Sequence, residues 1–156
     1  MKSFKYCVLL AFGLICSAVY SQDENAISEE ELKNYAIVMD SIEDMRQSLL
    51  SNMSEAIKNN DNITAARYNE LSKIVKDSVK LQAANATEAE ITALKKVLTD
   101  RDEGAEKIQE TFKTLVKDLL GAATYNKVKK ALKDDAEVKS KYDSILAELK
   151  KSEDTD

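Results

Sequence analysis

From Ile91 to Leu119 one stripe repeats without a slip: Ile91, Leu94, Leu98, Arg101, Ala105, Ile108, Phe112, Leu115 and Leu119 fall alternately three and four residues apart. Only an α-helix brings such positions onto one face, and four heptads make a rod of roughly 40 Å. A rod with one apolar edge must lay that edge against other helices. The phase survives "TDRDEG", so a single helix is expected to run through Gly104. The glycine there costs about 1 kcal/mol against alanine and marks a soft point.

The rest of the chain is built for the same class. There is no proline or tryptophan, and only Gly104 and Gly121 follow the first 21 residues. Strand-and-turn folds punctuate with these residues, whereas alanine, leucine, lysine and glutamate favour helix. Ser28 with Glu31 forms a capping box, and three glutamates in that first turn suit the positive end of the helix dipole. Leu32, Tyr35, Met39, Ile42, Leu49, Met53 and Ala56 then step along one face; Arg46 interrupts it, with Met45 beside it as a substitute. This helix is expected to end near "KNNDN". A second helix reads from about Ile63 to Ala84, turning Ala66, Leu71, Ile74, Val75, Ser78 and Leu81 inward. Thr87 with Glu90 opens the long rod as a second capping box.

Gly121 sits just past the rod, where a left-handed C-cap is expected, and Thr124 is expected to cap the next helix. Tyr125, Val128 and Leu132 lie on that helix's inner face. Asp134 and Glu137 suggest a local restart, after which Val138, Tyr142, Ile145, Leu146 and Leu149 continue inward. The expected fold is all-α: an antiparallel bundle of about four long amphipathic helices with coiled-coil-like packing. The alternative architecture is an extended hairpin that completes its core by forming a homodimer.

The first 21 residues read as a secretory signal peptide rather than as part of the fold. Lys2 and Lys5 precede "YCVLLAFGLICSAVY", an apolar run too short for the ~20 residues of a bilayer span. Ser21, with Val19 two residues before it, allows cleavage ahead of Gln22. Cys16 raises a lipoprotein alternative, against which Ile15 stands where a small residue is usual. Cleavage would remove both cysteines, so no disulfide staples the mature chain and it must fold on its apolar core. Residues 22–151 then form one helical domain and 152–156 a polar tail. The mature chain keeps 28 acidic residues against 21 basic ones, net −7. That balance argues against a nucleic-acid partner. No transmembrane segment is expected after the leader, and the destination is periplasmic or extracellular.

The residues that carry most enzyme chemistry are scarce. Histidine is absent, and so, after cleavage, is cysteine. The commonest general base, the thiol nucleophile and the usual zinc or di-iron ligands are therefore missing. "DRDEG" (Asp100 to Gly104) opens like a calcium loop, but the glycine falls at position five and Thr111 at twelve, so the register fails. No catalytic residue, cofactor or metal is expected. Short modification patterns do occur: "NMS", "NIT" and "NAT" fit the N-glycosylation sequon. "DSI" at Asp40 and Asp143, and "DSV" at Asp77, resemble the Asp-Ser-aliphatic pattern that some bacteria O-glycosylate; Ser78 is expected close to the core.

Charge is unevenly spread. Residues 22–60 hold nine acids and three bases, whereas 113–133 hold six lysines and one aspartate. Lys127, Lys129, Lys130 and Lys133 are a candidate patch for anionic headgroups or wall polymers. Equally, Val128, Ala131 and Leu132 interleave with them as in any amphipathic helix, and the lysines then offset the acidic first helix.

Two segments resemble a known family. "ISEEELKNYAIVMDSIEDMR" is similar to the opening of a family of exported bacterial domains of unknown function, with its Asp/Glu-Glu-Leu…Tyr-Ala pattern. "GAATYNKVKKALKDDAEV" resembles that family's closing Gly-x-(Ser/Thr)-x-x-Tyr-Asn segment and its Asp-Pro-x-Leu ending. Here the threonine directly precedes Tyr125, and Ala136 stands where proline is usual. The segments cover under a third of the mature chain. The resemblance implies an exported helical domain and brings no catalytic residues with it. It makes Gly121, Thr124 and Tyr125 a structural corner. The expected role is non-enzymatic, structural or binding, in the bacterial cell envelope, with an unidentified protein or envelope partner. The alternative is a chaperone-like or stress-response protein that holds unfolded clients on an apolar groove.

Overall fold

A computed structural model describes residues 26–153, and side chains up to Lys151. The chain is an all-α bundle with long-range helix packing, and every element among the described residues is helical: α1 (Glu29–Lys58), α2 (Ala65–Leu71), α3 (Ser78–Ala83), α4 (Glu88–Leu119), α5 (Ala122–Asp134) and α6 (Ala136–Glu153). Both capping boxes form. Glu31 N–H donates to Ser28 Oγ while Ser28 N–H donates to Glu31 Oε2, and Thr87 and Glu90 do the same for α4. At both long rods two of the N–H groups that a helix start leaves unpaired are thereby satisfied. α4 runs unbroken through Gly104. No helix among the described residues is long and apolar enough to cross a membrane.

The two rods lie antiparallel. Asn34 on α1 donates through Nδ2 to the Leu119 carbonyl at the far end of α4, at 3.1 Å, and Leu49 lies against Gly104. Gly104 is therefore less a soft point than a place where a side chain would be in the way. A Cβ built on it would meet Leu49 Cδ1 at 2.5 Å, which lets the two rods approach closely. α1 is the central helix and contacts α4, α5, α6 and α2. Serving partners on several sides, it buries more than one stripe: Leu32, Tyr35 and Ile42 as expected, but Ala36 and Val38 as well.

Burial divides the molecule into two lobes. One core gathers Ile63, Leu71, Leu81, Ala93 and Leu94, with Tyr68, Ile74, Val75, Ile91 and Leu98 around them, where α2 and α3 fold onto the start of α4. The other gathers Leu32, Tyr35 and Val128 with Met39, Tyr125, Leu132, Val138, Tyr142 and Ile145, where α5 and α6 close over the start of α1. Between them, among the described residues, α1 and α4 stand as a two-helix waist. From residue 43 to 62 no side chain is fully buried, and on α1 only Met45, Leu49, Met53 and Ile57, four apart, are even half-buried. Among the described residues each waist helix has one neighbour to pack against, so it hides one narrow stripe.

Four expectations need correction. The second helix is not continuous: residues 72–76 form turns, so Ala66 and Ser78 are exposed while Leu71 and Leu81 are buried. The break follows from Asp77, whose carboxylate Oδ1 accepts the Lys80 N–H at 3.1 Å and starts a new helix in mid-segment. In α4 the expected stripe holds only in part. Arg101, Ala105 and Leu119 are exposed, and Ala93, Val97 and Val116 are buried off the stripe. A straight helix drifts about 20° per heptad from a 3.5-residue repeat, and the two lobes load α4 from different sides. Thr124 does not cap α5: the cap position is Gly121, with no side-chain cap bond, because Ala122 and Ala123 begin the helix at once. The restart before α6 is made by Asp135, not Asp134. Its Oδ1 accepts from the N–H groups of Glu137 (2.8 Å) and Val138 (3.1 Å).

Candidate functional site

Two segments distant in sequence, the start of α1 and the corner between α4 and α5, build one structural unit. Gly121 ends α4 at φ +75° and ψ 149°, and its N–H donates to the Val116 carbonyl five residues back at 2.7 Å. The positive φ agrees with the expected left-handed cap. The extended ψ instead puts this glycine near the quadrant that side chains almost never enter. That turn throws α5 back across α1 and delivers Tyr125 onto Tyr35, the rings stacked at 5.3 Å and 26°. Phe112 of α4 meets Tyr125 edge-on at 5.4 Å, and Tyr142 of α6 meets Tyr35 edge-on at 5.8 Å. Four helices thus converge on four aromatic rings, in the offset and T-shaped geometries that ring quadrupoles favour. Burial, with the neighbouring phenols of Tyr125 and Tyr142, pushes the Tyr35 hydroxyl up to about 12. Tyr142 is raised as well, by burial first and then by the carboxylates of Asp40 and Asp143.

The lysines of this corner do not converge. Lys127 turns inward: its Nζ donates to the Ala26 carbonyl at 2.7 Å and lies 3.4 Å from Glu31, tying α5 to the start of α1. Glu31 is held below the usual carboxylate range, chiefly by the Ser28 N–H and then by Lys127. Lys129 lies over the Tyr125 ring, 5.8 Å from its centroid, within cation–π range. Lys130 and Lys133 are exposed and make no ion pair among the described residues. Two of the four cations are thus engaged within the fold.

Beside Tyr125, where the lobe meets the waist, an open groove of about 370 Å³ lies between α1 and α4. Met39, Ile42, Ala105, Ile108, Phe112 and Tyr125 line it, with the exposed Arg46 and Gln109 alongside. Its walls are largely apolar, and it carries no acid–base pair. A second cavity of about 410 Å³ opens between the start of α1 and α6, lined by Leu32, Val138 and Ile145 with Glu29, Lys141 and Glu148. No group of three or more potential metal-ligating side chains occurs among the described residues. The "DRDEG" run is ordinary helix, with Asp100 paired to Lys96 at 2.9 Å and Asp102 to Arg101 at 2.6 Å. The leader residues, including Cys16, Ser21 and Gln22, lie outside the described residues.

The sequence patterns for modification separate once placed. Thr64 and Thr87 of "NIT" and "NAT" are helix caps with engaged hydroxyls, and Asn85 sits at φ +51°, a conformation asparagine tolerates. Asn52 is exposed on α1. One organising residue was not visible in the sequence. Arg67 of α2 donates from Nε to Glu90 Oε1 (2.7 Å), from Nη1 to Glu70 (2.8 Å) and from Nη2 to the Ala84 carbonyl (2.8 Å), clamping α2, the end of α3 and α4 together. Glu90 is pulled down to about 2 by Arg67 first and then by the Thr87 N–H. Nothing distinguishes Arg67 from other surface arginines until the chain has folded. Comparisons with protein-family models, with curated proteins and with solved structures find no match to this chain.

Proposed function

We propose that this is an exported, non-enzymatic helical protein of the bacterial cell envelope that acts by binding or structural support. The observation that carries the reading is the groove beside Tyr125: an open, mainly apolar surface on a waist that no further helix among the described residues covers, without acid–base machinery. Preformed concave surfaces of this kind suit recognition. The Lys-flanked apolar leader and the likeness of the two end segments to an exported family support the location. The client-holding alternative has less in its favour. It calls for a contiguous apolar patch of more than a few hundred Å². The large apolar side chains most open to solvent, Leu50, Val79 and Leu119, belong to three different helices.

The test is cell fractionation of the full chain, followed by capture from envelope extract with wild type and with Ile108→Glu as bait. Ile108 is half-buried on the waist, so the charge blocks the groove while both lobe cores stay intact. A partner held by wild type and lost by the variant is expected. Identical capture by both baits, or a chain confined to the cytoplasm, would count against the proposal.

A further inference from the structure

Three Asp-Ser-aliphatic triads occur, and the fold treats them differently. Ser41 lies inside α1, part-buried, its hydroxyl donating to the Ile37 carbonyl at 2.8 Å, and the neighbouring Ile42 is 1% exposed. Ser144 lies inside α6, donating to the Ser140 carbonyl at 3.0 Å, with Ile145 packed into a core. An enzyme could engage either triad only by unwinding a long helix. Ser78, exposed like Ser144, differs from both in its place in the helix, its hydroxyl and its aliphatic neighbour. It is the first residue of the six-residue α3, and its hydroxyl makes no hydrogen bond among the described residues. Turns precede and follow α3, and only Leu81 is buried from it. A helix this short has little stability of its own, so the triad can adapt to a visiting active site. Val79 is 73% exposed, a large apolar side chain that belongs to neither core. Asp77, two-fifths exposed, keeps its carboxylate at the surface beside Lys80.

We propose that Ser78 is the site of O-glycosylation of this protein, with Asp77 and Val79 forming the recognition surface for the transferase. The inference rests on export as proposed above, since it requires the glycosylation machinery of the envelope. The co-reactant is a phosphate-linked sugar. Ser78 Oγ attacks the anomeric carbon and a carbon–oxygen bond to Ser78 forms. The sugar–phosphate bond breaks, the phosphate leaves with the electron pair, and the hydroxyl proton passes to a base of the transferase. An exposed valine next to an unengaged serine is then explained: it is kept for the enzyme rather than for the core.

The experiment is peptide mapping by mass spectrometry of the full chain purified from the host that naturally makes it. The expected result is a chain cut before Gln22, carrying the mass of one or more sugar residues on the peptide that spans Asp77–Lys80. Ser78→Ala, Asp77→Asn and Val79→Lys should each lose that mass. Asparagine is as good an N-cap as aspartate, and Val79 is exposed, so the last two variants keep the fold. A cleaved chain with bare Ser78 overturns the modification alone. A chain that retains residues 1–21 without sugar overturns export and the modification with it. Sugar that persists in both Asp77→Asn and Val79→Lys, or that sits on Ser41 or Ser144 instead, also refutes the assignment.

Discussion

Replacing Gly104 by alanine sets two effects of similar size against each other at one residue. Helix propensity alone favours alanine by about 1 kcal/mol in a helix interior. The new methyl, however, would stand 2.5 Å from Leu49 Cδ1 and 3.1 Å from Cδ2, well inside contact distance. Overpacking of that kind costs about 1–3 kcal/mol unless the neighbour yields. Leu49 is half-buried on the waist, which gives it some room to turn, so Gly104→Ala is expected to be destabilising by about 0–2 kcal/mol. Leu49→Ala by itself should cost about 1–2 kcal/mol, below the range for a fully buried leucine. Combining them removes the collision and leaves the propensity gain. In the Leu49→Ala background, Gly104→Ala should therefore stabilise by about 1 kcal/mol, a coupling energy of about 1–3 kcal/mol. Urea melts of the four proteins close the cycle. Coupling within about 0.3–0.5 kcal/mol of zero would mean that the rods do not meet at Gly104, and the close-approach argument would fail.

At the α4–α5 corner, a Cβ on Gly121 meets nothing within 4 Å, so Gly121→Ala isolates the backbone cost of φ +75°. Urea melts should show a loss of about 1–2 kcal/mol, and a wild-type midpoint would refute the strained turn. Tyr125→Ala should cost about 2–4 kcal/mol, since the ring is only half-buried although it touches both Tyr35 and Phe112. The Tyr35 phenol is raised to about 12 in the folded chain, so above about pH 10 the unfolded phenol ionises first and stability falls by about 2–3 kcal/mol towards pH 12. Alkaline denaturation should be shallower in Tyr35→Phe, and an unchanged slope would exclude Tyr35 as its source. Among the lysines, Lys127→Gln should cost about 1 kcal/mol by freeing the Ala26 carbonyl and Glu31, while Lys130→Gln with Lys133→Gln should leave the melt unchanged.

What the sequence determined by itself is the class and the punctuation. Two capping boxes, an asparagine-rich stop and a glycine between alternating stripes act through neighbours a few residues away, and bonds of that range form wherever the chain makes a helix. The uninterrupted α4 and the break after Leu119 belong to the same category. The tertiary structure decided what lies far apart in sequence: Arg67 reaching Glu90, Tyr35 meeting Tyr125 and Tyr142, and Gly104 admitting Leu49. It also decided which residues are buried on a helix with several partners, because a periodic stripe specifies one face, whereas α1 serves α4 on one side and α5 with α6 on another. Ser78 shows the difference at a single residue. Helical periodicity turned it inward, but Asp77 starts a fresh helix there and rotates the phase, leaving the serine and Val79 in solvent. A local cap can be read from four residues, but the direction a short helix faces is set by what its one buried side chain, Leu81, finds to pack against.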